Sequence, residues 1–244
     1  MQVTNLAYFF ETSRKVRGGK WVWVKDSNGE QRSNVLLGGT ILNPNKGFGH
    51  LWAAQLVQYT PGQGCYIFRT FGVHTATAAA TDTDIYVKGD GYSDVPEVGM
   101  IVMKAPDALQ VETLEADTTT GEVTKTVADY TGKSAKITAV VYDATNEKFK
   151  ITLDQAIGEL TTDDILVEAT GTAKADDAKP LVTNPNTFVE ADRDLLPTEG
   201  YGIQNANYSI STVYDKKAWI ARMQPLPKYV LAKNKSYIDG IFWI

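Results

Sequence analysis

The apolar runs between residues 82 and 169 are four to seven residues long, and turn signals separate them. The runs are 85–88, 100–103, 136–142, 149–153 and 165–169, with Gly89-Asp90-Gly91, Ala144-Thr145-Asn146-Glu147 and Thr162-Asp163-Asp164 among the turns. Thr and Val are frequent in them and helical spacing is scarce, so the segment reads as a meander of short strands. The run KITAVVY at 136–142 partly alternates, as expected of a strand with one wet face. Runs this short cannot span a bilayer or form long helices, and the pattern points to a small barrel or sandwich.

The ends of the chain are also β-rich. KWVWV at 20–24, the Asn28-Gly29 turn and Val35-Leu36-Leu37 before Gly38-Gly39 read as a hairpin. Residues 48–58 fit a short helix or a strand equally. The turn Pro61-Gly62-Gln63-Gly64 introduces a strand expected over 65–71. Residues 171–180, GTAKADDAKP, are small and polar and read as a linker or exposed loop. Further strand signals follow at 208–214, then the QPLPKY turn with Pro225 and Pro227, and finally Ile241-Phe242-Trp243-Ile244. An apolar tail of this kind is expected to pack on the N-terminal part, on a neighbouring chain, or as an edge strand of its own chain.

Charge divides the chain the same way. Residues 81–200 carry 10 Lys/Arg against 24 Asp/Glu, a net of −14, whereas the flanks carry 14 against 5, a net of +9. All five Trp and 19 of 25 aromatic residues lie in the flanks. An acidic, aromatic-poor middle suits water, and basic, aromatic ends suit a partner surface. The expected organisation is therefore a mainly β protein in two parts. Residues 1–81 and 191–244 form a β-rich attachment base, and 82–190 form an inserted, exposed β-barrel or sandwich domain.

No motif for catalysis or cofactor binding stands out. The single Cys65 rules out an internal disulfide framework. Gly132-Lys133-Ser134 matches the end of a phosphate loop, but the earlier glycine position holds Val127 and the next segment reads as a strand. Asp82, Asp84, Asp90 and Asp94 lack calcium-loop spacing, because a strand interrupts them. Cys65 and His74 lie near one another in sequence, yet no nucleophile elbow surrounds the cysteine, and one Cys with two His falls short of a zinc set. No cofactor, metal or enzymatic activity is expected. The basic stretch 14–20 beside Trp21 is read as a surface loop or a subunit contact, one that suits an acidic protein face, and an overall pI near 5.1 argues against nucleic acid. The residues expected to anchor an interface are Trp21, Trp23, Arg222 and Trp243.

Two segments carry a resemblance. VKGDGYSDVPEVGMIVMKAPD at 87–107, and the closing YSISTVYDKKAWIARMQPLPKYVLAKNKSYIDGIFWI at 208–244, resemble accessory virion proteins of tailed phages. These are head auxiliary, decoration and head-fibre proteins, including those of crAss-like phages. The acidic module with its Val-Gly-Met strand entry is similar to their exposed domains. The Arg-x-x-Pro-x-Pro turn (Arg222, Pro225, Pro227) before a short aromatic strand is similar to their closing section. The resemblance implies a non-enzymatic protein without cofactor, made in the host cytoplasm and carried on the capsid exterior. Its implied partners are the major capsid protein, other head proteins and copies of itself, with neither membrane nor direct nucleic-acid contact. The alternative expectation is a head-fibre or receptor-binding module that recognises glycan.

Overall fold

Alternation decides the architecture of the middle of the chain. In the segment KFKITL, Phe149, Ile151 and Leu153 are buried while the intervening Lys148, Lys150 and Thr152 are only partly covered. A strand of period two that hides one face needs another layer to hide it against, and here that layer is the far wall of a sheet closed on itself.

The computed structural model of the chain describes residues 35–38, 41–44, 50–51, 55–60, 63–116, 118–188, 193–194, 207–210, 216–218, 224–233 and 241–243. It is mainly β, as expected. The strands are β1 (Val35–Gly38), β2 (His50–Leu51), β3 (Leu56–Thr60), β4 (Gly64–Ile67), β5 (Thr70–Thr75), β6 (Asp84–Lys88), β7 (Ile101–Lys104), β8 (Gln110–Ala116) and β9 (Val123–Asp129). They continue with β10 (Ser134–Asp143), β11 (Lys148–Leu153), β12 (Ile165–Glu168), β13 (Thr187–Phe188), β14 (Arg193–Asp194), β15 (Asn207–Ile210), β16 (Lys216–Ala218) and β17 (Ile241–Trp243). Among the described residues one short helix, α1 (Lys228–Lys233), follows Pro225 and Pro227.

Six strands close into an antiparallel barrel in the order β10-β11-β6-β5-β12-β7. The meander β7, β10, β11 is completed by β12 returning beside β7, which is Greek-key connectivity. Register shifts between Ile137 and Ala139, and between Val73 and Thr75, supply the local bends that closure requires. The interior is filled by Phe71, Val73, Ile85, Val87, Val102, Ile137, Ile151 and Leu166 with their neighbours. Complete burial of each large side chain stabilises by roughly 1.5–3 kcal/mol.

The barrel begins at Thr70, not at residue 82, so its first strand comes from the segment assigned to the base. The strand expected over 65–71 is broken at Phe68 and Arg69. There the Phe68 amide bonds the Leu56 carbonyl at 2.9 Å, and the Thr70 amide bonds Asp94 at 2.8 Å. The chain passes at that point from the three-stranded sheet β13-β3-β4 into the barrel wall.

The barrel does not stand apart from the flanks. On β7, Val102 points into the barrel and Met103 into a second core; on β12, Leu166 and Val167 divide in the same way. This second core takes in Leu56 and Phe68 on one side and Leu226, Tyr229 and Val230 on the other. Residues 171–180 form an exposed loop, one of the two readings, with 171, 172, 174, 176, 177 and 179 open to solvent, and the loop is tied down at its end. Ala178 bridges Gly132 and Pro180 bridges Ala169, and Ala178 is buried in the second core. Small residues there permit close packing, and composition alone cannot separate that role from flexibility.

The two flanks meet at backbone level. β1 pairs antiparallel with β15 and β2 with β14, and β3 of the N-terminal flank pairs with β13 at the end of the middle segment. The apolar tail forms β17, which runs parallel to β16.

Candidate interaction surface

A buried polar network joins the barrel to the flank. Asn43 donates to Glu168 at 2.7 Å and to the Ile67 carbonyl at 2.9 Å, and it accepts the Ile67 amide at 2.7 Å. Arg69 lies 3.9 Å from the same Glu168 carboxylate, and both side chains are buried. Burial pushes the Glu168 carboxyl above its ordinary value, against the opposing pull of Arg69 and of the Asn43 bond; the nearby Asp94 charge raises it further. Asp94 takes the Thr70 amide and the Gln55 side chain. Gln224 donates to the Phe68 carbonyl at 2.7 Å and accepts the Leu56 amide at 3.3 Å. Every polar group named has a structural partner, so this network reads as the joint between β3, β4, the barrel and the segment entering α1.

The residues singled out for chemistry fall into separate structural tasks. Cys65 is fully buried in β4, opposite Tyr59 in register. His74 sits on β5 with Nδ1 2.8 Å from the Thr75 hydroxyl. Asp82 accepts the amides of Ala78 and Ala79, Asp84 pairs with Lys150 at 2.7 Å, and Asp90 accepts the amides of Tyr92 and Ser93. Asp94 is in the buried network. Among the described residues no three His, Cys, Asp or Glu side chains gather where a metal ion could be held. Gly132 lies in a bridge and Ser134 opens β10, so a strand follows where a phosphate loop needs a helix. Trp21, Trp23 and Arg222 lie outside the described residues. Trp243 is placed in β17 by its backbone only, its side chain lying outside what is described. Among the described residues no helix is long and apolar enough to cross a membrane.

The surface feature not anticipated from sequence is the hairpin β8–β9. Its two strands pair with each other in full register, from Gln110 opposite Asp129 to Ala116 opposite Val123, and among the described residues with nothing else. All fourteen strand residues are exposed. Antiparallel register puts Glu112, Leu114 and Ala116 on one face with Val123, Lys125 and Val127. Leu114 is 68% exposed and Val123 60%, values that mark an apolar stripe open to solvent. Glu112 and Lys125 meet at 2.8 Å on the same face. The signal was present in the alternation of QVETLEA and VTKTVAD around Gly121, whose φ of +72° suits a glycine turn.

At the base of the hairpin the Tyr130 amide bonds the Leu109 carbonyl at 2.7 Å. A cleft of ≈ 580 Å³ opens there, lined by Asp107, Gln110, Asp129, Tyr130, Lys179 and Tyr229 among others. Its polar rim is tied by the ion pairs Lys179–Asp129 and Lys228–Asp107, both at 2.9 Å. Burial pushes the Tyr229 hydroxyl up, and that hydroxyl donates to the Val182 carbonyl, fixing the cleft floor. No protein-family model, curated protein or solved structure matches this chain.

Proposed function

We propose that the protein is a non-enzymatic accessory protein of a tailed-phage virion that binds the outside of the head shell and stabilises or decorates it. The observation that carries this reading is the pairing of the flanks. β1 with β15 draws segments from the two basic, aromatic-rich ends into one body beside an acidic barrel. A body with opposed charge at its two parts suits attachment by one and exposure of the other. The resemblance of 87–107 and 208–244 to head auxiliary and fibre proteins supplies the partner, the major capsid protein. Trp21, Trp23, Arg222 and Trp243 are the proposed anchors. The test is decoration of heads that lack the protein: labelled full-length chain should coat their exterior. Localisation to the tail tip, or no binding, overturns the reading.

The cleft beneath the hairpin favours a second reading, a glycan-binding adhesion module. A partly buried Tyr130 ring beside Asp107, Gln110 and Asp129 offers a flat apolar surface with convergent polar groups, the ordinary make-up of a small-ligand site. Strong, selective binding on a glycan array, lost on Tyr130→Ala, would establish it.

A further inference from the structure

The outer edge of β9 is a strand without a neighbour among the described residues. The bond from the Tyr130 amide to the Leu109 carbonyl fixes the phase of the hairpin ladder. Even-numbered residues of β9 turn their backbone groups to β8, and Val123, Lys125, Val127 and Asp129 turn theirs outward. That edge is a template for strand addition. Two strands exposed on both faces are marginal in water, and further strands are what usually stabilise them.

Charge selects the occupant. β9 carries one cation, Lys125, and one anion, Asp129, on the same face, with Val127 between them. A twofold axis through the Val127 pair of two antiparallel β9 strands sets Lys125 of each copy opposite Asp129 of the other, so the favourable contact is made twice. An axis through Lys125 would instead oppose two lysines. An axis through Thr126 would set Lys125 against Val127 and Asp129 against Val123. β8 offers no such register: Glu112 and Glu115 are its only charges, so two β8 edges would bring four acids together. We propose that two copies of the chain associate through antiparallel β9–β9 pairing centred on Val127, giving one four-stranded sheet in the order β8-β9-β9-β8.

The backbone fits this register. The residues that it bonds across the axis, Lys125, Val127 and Asp129, are those whose amide and carbonyl point outward. Val123, Thr124, Thr126 and Val127 are β-branched and suit a strand with neighbours on both sides. Leu114, Ala116, Val123 and Val127 of both copies then lie on one face of the sheet, with Val127 against its counterpart. The ion pairs that Lys125 makes with Glu112, and Asp129 with Lys179, join exposed side chains and contribute little, so each group can take a second partner. The acidic β8 edges end the sheet, because a further copy would meet Glu112 and Glu115. One strand edge buries far less than the roughly 1,200–2,000 Å² of a standard interface, so the pairing is weak between free chains and tightens where copies are held side by side. It stands apart from shell attachment, which the decoration experiment judges.

Two full-length variants, Val127→Cys and Glu112→Cys, are made separately and oxidised under the same conditions. In the proposed pair the two Val127 Cα atoms lie about 5.5 Å apart, a spacing that a disulfide can bridge, whereas Glu112 lies on the far edge of each hairpin. The native Cys65 is fully buried. Val127→Cys should link two chains at least about tenfold faster than Glu112→Cys. Equal rates, a faster Glu112→Cys, or no cross-link overturns the proposal. A second arm tests the register by sedimentation at high protein concentration. Lys125→Glu alone sets acids opposite each other, and Asp129→Lys alone sets lysines opposite each other, so each should weaken self-association at least about tenfold. An equimolar mixture of the two variants has opposite charges at both positions and should associate as the native chain does. Native-like association of either variant alone, a mixture that associates no better than its components, or a native chain without concentration-dependent association also overturns the proposal.

Discussion

Asn43 donates a 2.7 Å hydrogen bond to the Glu168 carboxylate, and both side chains are buried. The two are 125 residues apart in sequence, so the bond ties the N-terminal flank to the last strand of the barrel. Asn43 also pairs with both backbone groups of Ile67. Asn43→Ala would leave the Ile67 amide and carbonyl without that partner and strip Glu168 of a donor. The expected loss is about 3 kcal/mol of unfolding free energy, read as a lower urea midpoint at unchanged slope. A loss below about 1 kcal/mol would mean that the joint relaxes and is no clamp.

Glu168 gives stability a pH dependence of unusual sign. Its carboxyl lies above the ordinary value in the folded protein, chiefly through burial, so the folded state holds the proton more tightly than the unfolded chain does. That contribution is complete below the unfolded value near 4.5 and is lost as pH rises through the folded value. Asp84, Asp129, Asp143 and Asp164 are held below their ordinary value and act oppositely, losing their contribution as pH falls below about 3.8. The stability of the native protein minus that of Glu168→Gln should therefore fall as pH rises from 4 and then level off. Urea titrations between pH 4 and 8 measure it. A difference independent of pH would show that Glu168 titrates normally.

The strands of the barrel were largely legible because burial on one face imposes period two on their residues: 136–142 and 149–153 lie on β10 and β11, and all of 165–169 but Ala169 lies on β12. The boundary at 82 was not legible. Nothing local distinguishes Cys65-Tyr66-Ile67 from Thr70-Phe71-Gly72, and the break between them is made by distant groups, Leu56 and Asp94. The buried role of Asp94 was hidden for the same reason. Its sequence neighbours suggest a solvated loop, while its hydrogen-bond partners are Thr70 and Gln55. α1 was missed because six residues after two prolines show less than two helical turns of pattern.

The hairpin should be separable from the barrel. No residue of β8 or β9 belongs to either core, and the bond between Tyr130 and Leu109 closes the chain beneath it. Replacing 111–128 with a two-residue Asn-Gly turn should leave the unfolding free energy within about 1 kcal/mol of the native value, because what is removed is exposed. Chemical denaturation of the excised protein checks this. A larger loss would assign the hairpin a part in the fold.

The contact between Gly89, which follows β6, and the turn between β10 and β11 offers two substitutions of opposite sign. The Gly89 amide bonds the Glu147 carbonyl at 2.6 Å, and a Cβ at Gly89 would lie 2.8 Å from Tyr142 Cε2 and 3.0 Å from that carbonyl oxygen. The oxygen is backbone and cannot swing aside, and the Tyr142 ring is held against Phe149 at 4.7 Å between centroids. Gly89→Ala should destabilise by about 1–3 kcal/mol. Glu147 itself adopts φ of 47°, a left-handed conformation that strains any residue with a Cβ. Glu147→Gly relieves that strain and should stabilise by up to about 1 kcal/mol. Thermal unfolding of the two variants side by side tests the turn geometry: melting points that move in opposite directions support it, and a stabilised Gly89→Ala contradicts the close approach of the two strands.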